Sequence, residues 1–112
     1  KIQIGETYLN YKNNYILELF LLKWDKNSMS KIHNHSHYGC TMKIVEGELM
    51  EDIYDDNLNF LYQNKYNKND TGYINNNIGY HRIYNINENP SYSLHLYCDL
   101  FDKQQKIKYF EA

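Results

Sequence analysis

Three of the five histidines in this chain fall in patterns that can bind a metal ion. His33 and His35 stand two residues apart in HNHSHYGC (33–40). On a β-strand that spacing puts both imidazoles on one face, close enough to share one ion. His81 lies in a later strand-like segment, GYHRIYN (79–85). Three neutral imidazoles make a facial set that leaves positions open for substrate and oxygen. His37 has the same strand parity as His33 and His35, but a loop can break the strand there, and it is read as the outsider. Ser93, His95 and Tyr97 take alternate positions of SYSLHLY (91–97), and Cys40 ends the first histidine segment. Each of these has a plain reading on its own: two loop histidines, a buried inert cysteine, a satisfied core histidine, one tyrosine among 13. Their value lies in the joint pattern.

Strands must hold these groups. Residues 15–24 (YILELFLLKW) form a mostly apolar run of strand formers. Residues 41–45, a Glu46-Gly47 turn and residues 48–54 read as a hairpin. Segments 58–63, 71–74, 80–84, 91–98 and 106–110 bring the total to seven or eight short strands. The connections are rich in Asn and Asp, which tolerate left-handed backbone and make their own turns. The single proline, Pro90, sits at a strand entrance, where its missing N–H does no harm. In 91–98 the parity puts Ser93, His95 and Tyr97 on one face and Leu94, Leu96 and Cys98 on the other. A polar face of that kind suits a strand lining a ligand cavity in a small sandwich or barrel.

The length, 112 residues, suits a single domain with a modest core, taken as 1–112. Hydrophobic content of 42% with a net charge of −2 is not the signature of a disordered chain. The lysines are scattered and form no basic stripe, which weighs against nucleic-acid binding. No apolar run reaches 18 residues, so no membrane-spanning helix is expected. The sequence begins at Lys1 without a methionine and shows no signal-peptide pattern. Cys40 and Cys98 fit no disulfide framework, and a reduced cytoplasmic setting is the expectation.

Taken together, the motifs resemble the cupin superfamily. Its first motif is H-x-H, an acidic ligand a few residues on, then six residues and a glycine. Here His33-x-His35 is followed by Cys40 and then Gly47, so cysteine stands where most cupins carry glutamate. The second motif ends in H-x3-N, which His81 and Asn85 match. The cysteine exchange resembles the cysteine dioxygenase family. Ile32 to His35, Tyr73-Ile74-Asn75, Ile78-Gly79, His81-Arg82, Ser93 to Tyr97, and Trp24 nine residues before His33 are similar to that family's motifs. The resemblance spans roughly residues 15 to 102.

It implies an all-β, cupin-type double-stranded β-helix. It implies Fe(II) on His33, His35 and His81, with Tyr97 placing its hydroxyl at the site. Ser93 and His95 would orient Tyr97, and Cys40 would be joined to Tyr97 by a thioether. The partners are then O2 and a small thiol, most simply L-cysteine, which leaves as its sulfinic acid. A thiol has a pKa of about 8.5, and metal coordination deprotonates it. Three neutral ligands leave the ion's charge available to that thiolate. There is one departure in substrate binding. Cysteine-specific members carry an arginine on an early strand for the substrate carboxylate, whereas Gly5 to Asn10 here contain none. Dioxygenation of another thiol (cysteamine or 3-mercaptopropionate) therefore stays open, as does a non-catalytic metal-binding cupin, although such a module does not need the Ser93, His95, Tyr97 set.

Overall fold

The computed structural model describes residues 2–11, 15–34, 39–75, 78–100 and 109–110. Ten strands run through them: β1 (Ile2–Tyr11), β2 (Tyr15–Trp24), β3 (Ile32–His33), β4 (Cys40–Glu46), β5 (Leu49–Tyr54), β6 (Phe60–Tyr66), β7 (Thr71–Ile74), β8 (Tyr80–Tyr84), β9 (Ser91–Leu100) and β10 (Tyr109–Phe110). They form two five-stranded sheets, ordered β1-β2-β9-β4-β7 and β10-β3-β8-β5-β6, and every pairing is antiparallel. No helix long and apolar enough to cross a membrane occurs among the described residues.

The alternation along the strands explains the sandwich. In β4, Cys40, Met42 and Ile44 are buried while Thr41, Lys43 and Val45 are exposed. In β8, His81 and Ile83 face inward. β9 reverses the usual sense: Ser91, Ser93 and His95 are buried and Leu96 is 42% exposed. The polar face of that strand therefore lines the interior, as its parity suggests. Apolar packing divides around this polar seam. Leu22, Trp24, Met42, Ile44, Leu49 and Ile83 form one cluster, with Phe20 and Tyr66 against it. Cys40, Ile53 and Ile74 form a smaller one, with Tyr97 against it.

Three details differ from the sequence reading. Residues 41–54 are not a hairpin, because β4 pairs with β7 and β9 while β5 pairs with β6 and β8. The chain crosses between sheets at Gly47 (φ 79°), where a Cβ would collide with Ser91 Oγ. That hydroxyl pins the crossing by accepting from Glu48 N at 3.1 Å and donating to Glu48 O at 2.7 Å. Next, β6 begins at Phe60 and not at 58, because Asp55 Oδ1 accepts from both Asn57 N and Asn59 N at 2.9 Å and holds a turn. Finally, β1 is a strand that alternation did not reveal. It lies at a sheet edge and is interrupted by an irregularity between Gln3 and Gly5. Of the expected strand 106–110, residues 106–108 lie outside the described residues.

Candidate metal centre

Adjacent antiparallel strands β3 and β8 put His33 and His81 in direct register. Their rings lie 4.5 Å apart at 65°, and the two Nε2 atoms face each other at 3.0 Å. Both side chains are buried. The other ring nitrogens settle the tautomers. His33 Nδ1 is 2.7 Å from Lys31 O, a carbonyl that can only accept, so Nδ1 carries the proton. His81 Nδ1 is 2.7 Å from Glu51 Oε2. The other oxygen of that carboxylate accepts from Tyr66 OH at 2.8 Å and Asn64 Nδ2 at 3.0 Å. Glu51 accepts from His81 as well, so His81 Nδ1 also carries its proton. The two Nε2 lone pairs are thus aimed at each other. They repel unless a cation, a proton or a metal ion, lies between them. Two nitrogens at about 2.1 Å from an ion and at right angles lie about 3.0 Å apart, which is the separation found. The pair fits a metal.

His35 and His37 lie outside the described residues. Among the described residues no three histidine, cysteine or carboxylate groups close around one point. Two of the three expected ligands are therefore brought together here, and the third belongs to the segment directly after β3.

A second chain of groups runs through β9. Trp24 Nε1 donates to Ser93 Oγ at 2.8 Å, and Ser93 Oγ shares a hydrogen bond with His95 Nε2 at 2.6 Å. His95 Nδ1 faces Cys40 Sγ at 3.9 Å. Cys40 and Tyr97 are direct cross-strand partners, and their side chains are hydrogen-bonded. The Phe20 ring stands edge-on to Tyr97, with centroids 5.5 Å apart. Trp24, Ser93, His95, Cys40 and Tyr97 thus form one continuous set.

Burial pushes the Cys40 thiol up to about 12; the hydrogen bond with Tyr97 opposes this more weakly, and the Glu51 charge adds to the rise. Unlinked Cys40 is therefore a protonated thiol at neutral pH, not a free nucleophile. Iodoacetamide at pH 8 is expected to spare the Cys40 peptide in native protein and to modify it after denaturation, as read by peptide mass spectrometry. The same shift fixes a sign. The native state keeps this proton between about 9 and 12 while the unfolded chain releases it. The associated stability is complete below about pH 9 and is lost as pH rises toward 12.

Arg82 follows His81 and faces the other way. Its Nη2 donates to Tyr54 OH at 2.8 Å and lies 3.7 Å from Asp52 Oδ2. Asn85 is fully buried and closes the loop after β8. Its Nδ2 donates to Trp24 O at 2.9 Å and Asn89 O at 3.0 Å, and its Oδ1 accepts from Asn87 N at 2.9 Å. The residue that sequence reading missed is Glu51. The signal was available: it shares strand parity with Leu49 and Ile53, which puts a carboxylate on an apolar face. Its partner Tyr66 holds its own proton well above the usual phenol range, through burial first and the Glu51 charge second.

The whole arrangement agrees with a family match. Residues 7–110 fit the profile of cysteine dioxygenase type I. The chain belongs to the cysteine dioxygenase family. Cysteine dioxygenase type 1 from Rattus norvegicus is 32% identical over 98 residues, covering 81% of this chain and 49% of that protein. The Homo sapiens protein is 34% identical over the same shares, and the Danio rerio protein 30% over 83% of this chain and 53% of its own. The chain thus spans about half the length of the curated relatives it matches. Solved structures support the fold. A double-stranded β-helix protein from Klebsiella pneumoniae matches with TM-score 0.66 at 12% identity, covering 98% of this chain and 85% of that one. Oxalate decarboxylase from Bacillus subtilis matches with TM-score 0.63 at 15% identity, covering 87% and 24%. This cysteine dioxygenase family chain is an all-β, cupin-type double-stranded β-helix.

Proposed function

We propose that this chain carries the iron site of a thiol dioxygenase that converts a small thiol to its sulfinic acid with O2. The observation that carries the reading is the pair of lone-pair nitrogens on His33 and His81, facing each other at 3.0 Å in a family whose members are cysteine dioxygenases. His33, His81 and His35 would hold a ferrous ion. Bound there, it would supply the charge that strips the proton from a substrate thiol and a redox-active centre through which the sulfur's own electrons reach O2. RSH and O2 combine into RSO2H with no atom left over, so no outside reductant is required.

The protein's part is position and protonation. Lys31 O and Glu51 hold the two imidazoles as neutral ligands with their Nε2 atoms turned toward each other. Tyr97 offers a hydroxyl that can donate to the substrate or to oxygen, braced by Phe20 on one side and Cys40 on the other. The Trp24–Ser93–His95 chain fixes the orientation of the His95 ring beside Cys40. A reduced cytoplasmic setting goes with this reading, since Cys40 is a free thiol. The test is oxygen uptake by Fe(II)-loaded protein with cysteine, cysteamine and 3-mercaptopropionate. One O2 consumed per sulfinate formed is expected. No uptake with any of them would leave only the metal-binding cupin.

We propose further that Cys40 and Tyr97, cross-strand partners with hydrogen-bonded side chains, become joined by a thioether. Joining Sγ to the ring carbon ortho to the hydroxyl removes one hydrogen from each residue, two electrons and two protons in all, with O2 as acceptor. Peptide mass spectrometry of protein that has turned over in iron, O2 and thiol is expected to show the Cys40 and Tyr97 peptides joined and two hydrogens lighter than their sum. A free Cys40 thiol throughout such a sample would refute the link and leave the dioxygenase reading standing.

A further inference from the structure

We propose that Tyr66, Asn64 and Glu51 form a positioning relay for the His81 imidazole, and that Gly72 supplies the space the relay needs. The inference rests on the metal reading above. It concerns residues of β5, β6 and β7 that lie behind the ligand.

Glu51 is 4% exposed and sits between Leu49 and Ile53 on the inner face of β5. An apolar residue there would spare the desolvation of a carboxylate, and replacing buried charge by well-packed apolar groups is often neutral or stabilising. Core packing therefore does not account for it. Its contacts are divided by role. Oε2 takes the His81 Nδ1 proton at 2.7 Å, while Oε1 takes the Tyr66 hydroxyl at 2.8 Å and the Asn64 amide at 3.0 Å. Asn64 is directly opposite Glu51 on β6, and Tyr66 is opposite Leu49, two residues along on the same face. The β5–β6 register alone thus brings both donors to one oxygen.

Tyr66 reaches that oxygen because the facing sheet yields. A Cβ on Gly72 in β7 would lie 2.7 Å from Tyr66 Cζ, 2.7 Å from its hydroxyl and 2.8 Å from Cε1. The phenol ring occupies the volume of the missing side chain. Any larger residue at 72 pushes the hydroxyl off Glu51. The sequence 49–72 thus builds one device: a glycine admits a tyrosine, the tyrosine and an asparagine hold a carboxylate, and the carboxylate fixes which nitrogen of His81 faces His33. A carboxylate behind a ligating imidazole also raises the basicity of its metal-facing nitrogen.

The test uses Co(II) as the probe, titrated into the whole chain in competition with a chromophoric chelator, with the visible ligand-field bands recorded. Glu51→Gln keeps shape and a hydrogen-bond acceptor but removes the charge. It is expected to weaken Co(II) binding about 10- to 100-fold and to shift the bands. Tyr66→Phe and Gly72→Ala are expected to move both readouts in the same direction by less. The Glu51→Gln/Tyr66→Phe double variant is expected to be no weaker than Glu51→Gln alone, since Tyr66 acts through Glu51. Wild-type affinity and bands in both Glu51→Gln and Tyr66→Phe would overturn the relay while leaving the metal site intact. Failure of the wild-type chain to bind Co(II) would overturn the relay and the metal reading together.

Discussion

Replacing His33 with alanine is expected to remove the iron and reduce thiol-dependent oxygen uptake to background, with little change in folding. Groups behind a ligand commonly account for 10- to 100-fold in affinity or activity, so loss of a ligand is expected to exceed about 100-fold. The choice of histidine matters for interpretation. In His33→Ala the vacated partner is Lys31 O, which still accepts from Ser30 Oγ at 3.1 Å and belongs to an exposed residue. The stability loss is then that of one modest hydrogen bond and some buried ring, about 1–2 kcal/mol. In His81→Ala the vacated partner is Glu51, a carboxylate that is almost fully buried. Leaving a buried, charged oxygen without its donor costs about 3 kcal/mol or more, enough to confuse loss of metal with loss of fold. Iron analysis, oxygen uptake and a melting curve on both variants separate the two. Full iron and full turnover in His33→Ala would remove His33 from the ligand set.

How much of this was legible in the sequence depends on the range of the interaction. β2, β7 and β8 could be read residue by residue, because apolar runs and Asn- or Asp-rich turns are local signals. Positive φ at Asn27 and Asn69 is the left-handed backbone that asparagine tolerates. The inward face of β9 was legible for the same reason, since period-two alternation is a property of the segment itself. The supposed hairpin was not. A glycine turn between two strand-like runs fits both a hairpin and a crossing between sheets. What decides is the ladder with β7, β8 and β9, far along the chain. β6 shows no alternation because nearly all of it is exposed, and its register comes from β5. At the site, the facing of His33 and His81 is a register fact across 48 positions, which no spacing rule predicts. Glu51 was visible as a charge on an apolar face but had no meaning until His81 lay behind it.

Substrate preference is expected to lean away from cysteine. Arg82 is the only arginine in the sequence, and it is engaged by Tyr54 and Asp52 on the face opposite His81. Its guanidinium lies 5.7 Å from the centroid of the Tyr54 ring, so moving it to the His81 side of the sheet would break a packed arrangement. It is not an anchor for a substrate carboxylate. On the sheet that carries Tyr97, the strands nearest it offer no arginine either. Tyr97 of β9 is in register with Glu18 of β2, and Glu18 with Tyr8 of β1. Losing a bidentate arginine–carboxylate contact commonly costs about 2–5 kcal/mol. At ~1.4 kcal/mol per tenfold, that is about thirtyfold to several thousandfold in binding. A thiol without an α-carboxylate, such as cysteamine, does not incur this loss. The expected result is a kcat/KM for cysteamine above that for cysteine, with 3-mercaptopropionate, which keeps a carboxylate but lacks the ammonium, below both. A strong preference for cysteine that survives substitution of Tyr8, Asn10 and Glu18 would place the carboxylate anchor elsewhere and overturn the preference derived from the missing arginine.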